Sequence, residues 1–261
     1  MTLPIGITIR YSAFDQALDD HVDAAETWLG AAERHELENL RDAGRRRQWL
    51  AGRWLAKQLI REAFDIAEPA HIDIFTRDER GRGVRPRVTT RLHELRLSLS
   101  ISHTELGVLV ALSKTNRLSI GVDLAPRQIP AADGFWRLWF TPFERQWMEH
   151  DAENRTGVVW AAKEAIYKAA NQGQSWNPRH LEVRRHGRWG FECSYRGRPL
   201  QGLSVSLHEF DGQTAAIASL RRVARSFRTD MPTQSLPVGV SRRTVTRVGK
   251  HPRFIVCGHQ T

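Results

Sequence analysis

Apolar and polar residues alternate along Leu97-Ser98-Leu99-Ser100-Ile101, the period of a strand with one face in a core. Two further apolar runs, Gly107 to Leu112 and Leu118 to Asp123, predict strands separated by the polar turn from Ser113 to Arg117. Shorter strands are expected at Ile5 to Ile9 and at Ile72 to Phe75. Helical spacing predicts a first helix near residues 24–39 and a longer one near 44–64. The second carries Trp49, Leu50, Trp54, Leu55 and Leu59 on an apolar face. Thr141 and Pro142 fit the cap and first position of another helix. An alanine-rich helix is expected from Glu153 to about Asn171, stopped at Asn171-Gln172-Gly173-Gln174. Beyond it, Leu181 to Val183, Trp189 to Tyr195, Leu203 to Phe210 and Thr214 to Leu220 read as an antiparallel meander. Its turns fall at Gly187, Gly197 and Asp211-Gly212. No internal repeat stands out.

Three Gly or Pro breaks between Asp78 and Arg87 predict a loop, and five arginines from Arg77 to Arg87 make it basic. It is either a solvated charge run or a phosphate grip, since guanidinium offers a fork of donors to phosphate oxygens. The net charge of +10 is not spread evenly: from Arg221 onward nine Lys/Arg face the single acid Asp230. The rest of the chain is nearly balanced. Residues 223–261 are basic with little periodicity, and Phe254 to Cys257 is an edge strand, a partner contact or a loose tail. Two cysteines, Cys193 and Cys257, make neither a disulfide framework nor a zinc cluster. Cys193 is expected as a small buried strand residue. The N-terminus lacks a signal-peptide pattern, and no run approaches the roughly 20 apolar residues that span a bilayer. A cytoplasmic monomer without membrane attachment is the expectation.

The densest chemistry lies in Trp160-Ala161-Ala162-Lys163-Glu164-Ala165-Ile166-Tyr167-Lys168. A helix sets Glu164 and Lys168 one turn apart, with Trp160 one turn before Glu164. On an ordinary surface such a Glu-to-Lys pair contributes about 0.2–0.5 kcal/mol and nothing else. Asp123 ends an apolar strand, where an acid is either turned to solvent or held for a task. With Glu164 it offers hard oxygens to a divalent cation, whose octahedron water and substrate phosphates would complete. His103, after Ser102 at a strand exit, is either a turn histidine or a phosphate donor.

With those residues in place, the chain resembles the 4′-phosphopantetheinyl transferases, specifically the larger, pseudodimeric surfactin-synthetase-activating type. The helix motif Trp-x-x-Lys-Glu-x-x-x-Lys stands at Trp160 to Lys168, Gly-(Ile/Val)-Asp at Gly121 to Asp123, and Ser-His at Ser102-His103. The Gly-Lys-Pro loop looks like Gly81-Arg82-Gly83, followed by Pro86. Two departures stand out: Ala125 replaces a frequent acid two residues after the aspartate, and Arg82 replaces lysine. The resemblance covers roughly residues 20–222 and implies an α+β fold of two similar lobes related by a pseudo-twofold axis. The lobes would be 1–117 and 118–222, with 223–261 a basic extension and coenzyme A in the cleft.

The resemblance also implies transfer of the 4′-phosphopantetheine arm of coenzyme A to a serine of an apo acyl or peptidyl carrier protein. Adenosine 3′,5′-bisphosphate would leave. Magnesium would be held by Asp123 and Glu164, with Glu164 also the candidate base. Lys168, His103, Ser102, Arg82 and Lys163 are candidate contacts to coenzyme A. Arg47 is the nearest match for an early-helix arginine on the 3′-phosphate, with Arg46 and Arg53 as contenders. Two rivals remain: a catalytically silent coenzyme A binder, kept alive by Ala125, and a basic nucleic-acid-binding protein. The second has no helix-turn-helix, zinc or aromatic stacking pattern behind it, and no nucleic-acid partner is expected.

Overall fold

In the computed structural model, alternation and apolar runs are realised as antiparallel strands, and the alanine-rich segment as a helix laid across one of them. The structure describes residues 6–78, 81–127, 129, 133–149, 156–171, 177–186 and 190–221. Phe254 to Cys257, the turn at Gly187 and the helix stop beyond Asn171 lie outside them.

The first half opens with β1 (Ile7–Ala13), three short helices α1 (Gln16–Asp23), α2 (Ala25–Trp28) and α3 (Ala31–Glu38), and the long α4 (Ala43–Phe64). A 3-10 turn at Pro69–His71 leads into the hairpin β2 (Ile72–Arg77) and β3 (Gly83–Thr90). Then come β4 (Ser98–His103) and β5 (Gly107–Ser113). The second half runs β6 (Leu118–Pro126), α5 (Asp133–Trp139), α6 (Pro142–Glu149) and α7 (Thr156–Ala170). A second 3-10 turn, Pro178–His180, precedes β7 (Leu181–His186) and β8 (Gly190–Tyr195). The short β9 (Arg198–Pro199), β10 (Leu203–Phe210) and β11 (Gln213–Arg221) complete it.

The mixed α+β class agrees with expectation, and three local readings are corrected. The single helix near 24–39 is three helices beginning at Gln16. Asp15 caps the first by accepting from the Leu18 amide at 2.9 Å. The basic stretch 78–87 is strand from Gly83 onward: Arg77 pairs with Gly83 and Phe75 with Arg87, with a register shift between Phe75 and Arg77. Pro86 is tolerated because β3 pairs only with β2, so its missing N–H need not face a neighbouring strand. The expected meander is split, with β7-β8-β9 forming one sheet and β10-β11-β6 another. The turn at Asp211-Gly212, both residues at positive φ, joins β10 to β11 as expected.

The two halves share one plan. The first sheet has the order β1-β5-β4, and the second reads β6-β11-β10 from its other edge. In each, the last strand of the half lies between the first and the one before last. Each middle strand is buried on both faces. Val108, Val110 and Leu112 of β5 face the helices of the first half, while Leu109 and Ala111 join β6 and β11 in a core between the sheets. Ala216 and Ala218 of β11 pack with α7, and Ala215 and Ile217 face the same middle core. The repeat is one of element order and strand pairing.

The repeat extends to side chains. Glu33, in the first turn of α3, accepts from the amides of Gly30 and Ile74, both at 3.2 Å, and pairs with Lys57 of α4 at 2.5 Å. Glu144, in the first turn of α6, accepts from the amides of Thr141 and Val183, both at 2.8 Å, and pairs with Lys163 of α7 at 2.6 Å. Ile74 and Val183 are each the third residue of their strand. Each lysine ends a Trp-x-Ala-Lys segment, Trp54 to Lys57 and Trp160 to Lys163. The sequence therefore does contain an internal repeat, four residues long, and it marks a buried ion pair that ties short helix, long helix and hairpin together. All four charged groups are at most 1% exposed. Such a pair survives burial because the backbone amides share the task of solvating the carboxylate.

Between the sheets runs a seam of hydroxyls. One edge of β6 pairs with β11. The amides of Ile120, Val122 and Leu124 instead donate to Oγ of Ser98, Ser100 and Ser102 at 3.0, 3.0 and 3.1 Å. The polar face of β4 is thus buried rather than solvated, since each serine satisfies an amide that would otherwise be unpaired in the interior.

Candidate active site

Residues with every other side chain on one face bring the chemistry of β6 to α7. Gly121, Asp123 and Ala125 lie on the side facing that helix, and Ile120, Val122 and Leu124 on the other. Gly121 is required for the approach. A Cβ there would collide with Ala165 O and lie 2.6 Å from Ala169 N. The small side chains of Ala161, Ala162, Ala165 and Ala169 complete the close contact. Trp160 anchors the other flank against Phe135, Trp139 and Phe140.

This packing places Lys168 beside Asp123. The ammonium donates to Asp123 Oδ1 at 2.8 Å and to the Val122 carbonyl at 3.1 Å. Ser102 donates to the same Oδ1 at 2.9 Å while accepting from Leu124 N. Asp123 Oδ2 is buried and has no hydrogen-bond partner among the described residues. Glu164 is also buried, one turn before Lys168 on the same helix. Four expected site residues, Ser102, Asp123, Glu164 and Lys168, therefore come from β4, β6 and α7, which pack together. His103, half-buried, follows Ser102 on the opposite face of β4, the face of Leu99 and Ile101 toward α4.

Three expected contacts to coenzyme A are placed elsewhere. Lys163 is buried in the ion pair with Glu144. Burial pulls its ammonium below the ordinary lysine range, and the adjacent Glu144 carboxylate opposes that fall. Arg53 is buried near Glu33 and Glu36 at 3.5 and 3.6 Å, donates to Thr76 Oγ1, and lies over the Trp49 ring. Arg47 holds Asp19 by two bonds of 2.6 and 2.7 Å, which keeps that carboxyl below its usual range, and covers the Phe14 ring. Of the early-helix contenders, Arg46 is the one exposed on the first turn of α4. Arg82 is exposed at the hairpin turn, with its guanidinium on Asp78 at 2.7 Å.

The hairpin supplies a residue that sequence reading missed. Arg85 donates to the carbonyls of Ala169 and Asn171 at 2.7 and 2.9 Å, so a first-half strand caps the C-terminal end of α7. Its signal in the sequence was merely one arginine among five.

The donor set can be tested against the magnesium expectation. Among the described residues no group of three or more His, Cys, Asp or Glu could hold a metal ion. Ala125 is packed in the apolar core of the second half, where a third acid would have to stand. In favour of a hard cation is Asp123 Oδ2, a buried carboxylate oxygen lacking a donor while its twin has two. Magnesium keeps several waters and takes one or two carboxylates with substrate phosphates, so by number alone two acids are as many as it requires.

Asp123 and Lys168 are thus held together across a strand and a helix, with Glu164 one turn earlier on that helix. Residues 119–218 match the family model of the 4′-phosphopantetheinyl transferase superfamily. That match contains Asp123, Glu164 and Lys168, and the superfamily is the one the motifs resemble. No curated protein matches the chain. Among the described residues, no helix is long and apolar enough to cross a membrane.

Proposed function

We propose that the protein is a surfactin-synthetase-activating-type 4′-phosphopantetheinyl transferase, modifying a serine of an apo acyl or peptidyl carrier protein and releasing adenosine 3′,5′-bisphosphate. The observation that carries the reading is Asp123, one oxygen pinned by Lys168 and Ser102 and the other buried without a donor. In this reading the lobes 1–117 and 118–222 are related by a pseudo-twofold axis, coenzyme A lies between them, and one chain suffices. Residues 223–261 are an extension outside the chemistry.

Asp123 and Glu164 would hold magnesium, which when bound supplies charge neutralisation at the diphosphate and its departing oxygen. Lys168 stabilises negative charge on the same diphosphate from a fixed position, set by its bonds to Asp123 and the Val122 carbonyl. Glu164 accepts the proton of the carrier serine as its oxygen attacks phosphorus. His103 and Arg82 contribute phosphate contacts from the first lobe, and Arg46, exposed on the first turn of α4 and donating to the Leu37 carbonyl at 3.5 Å, is the contender for a terminal phosphate.

A second reading has its own support. With Ala125 in the core and no third acid among the described residues, a protein that binds coenzyme A without transferring its arm is the competitor. One experiment separates them: purified protein, coenzyme A, magnesium and a panel of apo-carriers, read by intact mass. A phosphopantetheine increment on the carrier serine, lost without metal and in Glu164→Gln, supports transfer. Calorimetric binding of coenzyme A with no increment on any carrier would establish the silent binder.

A further inference from the structure

Resting on the transferase reading, we infer that Ser102 is a positioning residue for Asp123, fixing which carboxylate oxygen is left to meet a divalent cation. Ser98, Ser100 and Ser102 perform one common task, each accepting an amide from the edge of β6. Ser102 performs a second. A hydroxyl has a single hydrogen, and that of Ser102 goes to Asp123 Oδ1 at 2.9 Å, leaving its lone pairs for the Leu124 amide. Neither Ser98 nor Ser100 donates to an acidic side chain among the described residues.

The consequence lies in the carboxylate torsion. The terminal torsion of aspartate is broad and roughly two-fold, so one donor leaves the two oxygens free to exchange. Lys168, held also by the Val122 carbonyl, is one donor, and Ser102, fixed in a strand, is the second. Together they hold Oδ1 from two directions and leave Oδ2 as the buried oxygen without a partner. Ser102 thus does its work behind the aspartate, and its hydrogen is not available to coenzyme A.

The seam supplies its own control. Ser100→Ala and Ser102→Ala each orphan one amide of β6, but only the second unpins Asp123. Mn2+ binding to the full chain, with and without coenzyme A, can be read by the electron paramagnetic resonance of free metal. Thermal midpoints and the magnesium dependence of carrier modification complete the comparison. The two alanine variants are expected to lose similar thermal stability. Ser102→Ala is expected to weaken Mn2+ binding by about 10-fold or more, the usual effect of removing a group that orients a metal ligand. Ser100→Ala should stay within about two-fold, and Ser102→Thr, which keeps the hydroxyl, should restore most of the affinity. Should Ser102→Ala not fold, Ser102→Cys, similar in shape and a weak donor, carries the same expectation.

Equal Mn2+ affinities in the Ser100 and Ser102 variants would overturn the assignment, as would a wild-type protein that binds no Mn2+ in either condition. Failure of the transferase reading looks different. Mn2+ binding and its Ser102 dependence would persist while no carrier is modified.

Discussion

Lys168 of α7 stands 2.8 Å from Asp123 of β6, so the cation of the candidate site is held by the carboxylate it works beside. Five residues after its own buried lysine, α4 carries Glu62 where α7 carries Lys168. Glu62 binds Arg10 of β1 at 2.6 and 2.9 Å. The same helical position reaches the first strand of its own half in both, with the charges exchanged. The consequence for chemistry is that, at this helical position, the second half presents a cation from its helix to a carboxylate of its first strand, and the first half the reverse. Replacing Lys168 with Met is expected to lower carrier modification by about 10²–10³-fold, the cost of removing one fixed charge-stabilising donor. Lys168→Arg should not restore the full rate, because a planar fork does not reproduce a point charge. Initial rates at saturating coenzyme A and carrier test this; an unchanged rate in Lys168→Met would remove the lysine from the mechanism.

The duplicated buried pairs make a prediction about stability. Removing one partner of such a pair leaves a buried charge and costs about 3–5 kcal/mol. Lys163→Met is expected in that range by denaturant unfolding, and Lys57→Met likewise. Adding Glu144→Gln to Lys163→Met should cost less than the two single changes together, because the second substitution removes the stranded charge. Strict additivity would show that the two groups are not coupled.

Gly121 sets how closely α7 lies on β6. Gly121→Ala drives a methyl into the backbone at Ala165 and Ala169, neither of which can rotate away as a side chain would. Overpacking of this kind costs about 1–3 kcal/mol, and backbone on the receiving side favours the upper end. The shift would also move Lys168 from Asp123, so the transfer rate should fall with stability. A stable, fully active Gly121→Ala protein would contradict the packing described here.

Cys193 of β8 is buried in the core of the second half, and burial, with Glu144 and Glu192 nearby, pushes its thiol from 9.0 up to about 12. In the native protein at pH 8 it should resist alkylation, becoming reactive on unfolding, as peptide-resolved mass spectrometry can show. The linkage has a definite sign. The folded state holds this proton more tightly, so its contribution to stability is complete below about pH 9 and is lost as pH rises toward 12. Rapid native alkylation at Cys193 would refute the burial.

Much of this was legible from local patterns, and what escaped was long-range. Thr141 and Pro142 announced the start of α6, and the Glu144 amide does donate to Thr141 Oγ1, at 3.3 Å. The apolar run at β5 and the alanines of α7 announced elements buried on more than one side. The serines of β4 left their partner open, because alternation gives the period of a strand but not what its polar face meets. Here that face meets an unpaired strand edge 22 residues away. The partner of Lys163 escaped for a related reason: Glu144 lies 19 residues earlier, beyond the reach of a helical period. The short Trp-x-Ala-Lys repeat was present in the sequence but too brief to register without knowing that both lysines are buried.

Joining two sheets through hydroxyl groups rather than through a shared ladder has a mechanical implication. Each of the three bonds is worth only about 1 kcal/mol net, and each belongs to a side chain that can be exchanged without disturbing either backbone. Beside the apolar core between the sheets, the polar seam therefore consists of separable rungs, of which the last, at Ser102, is also the one that touches Asp123.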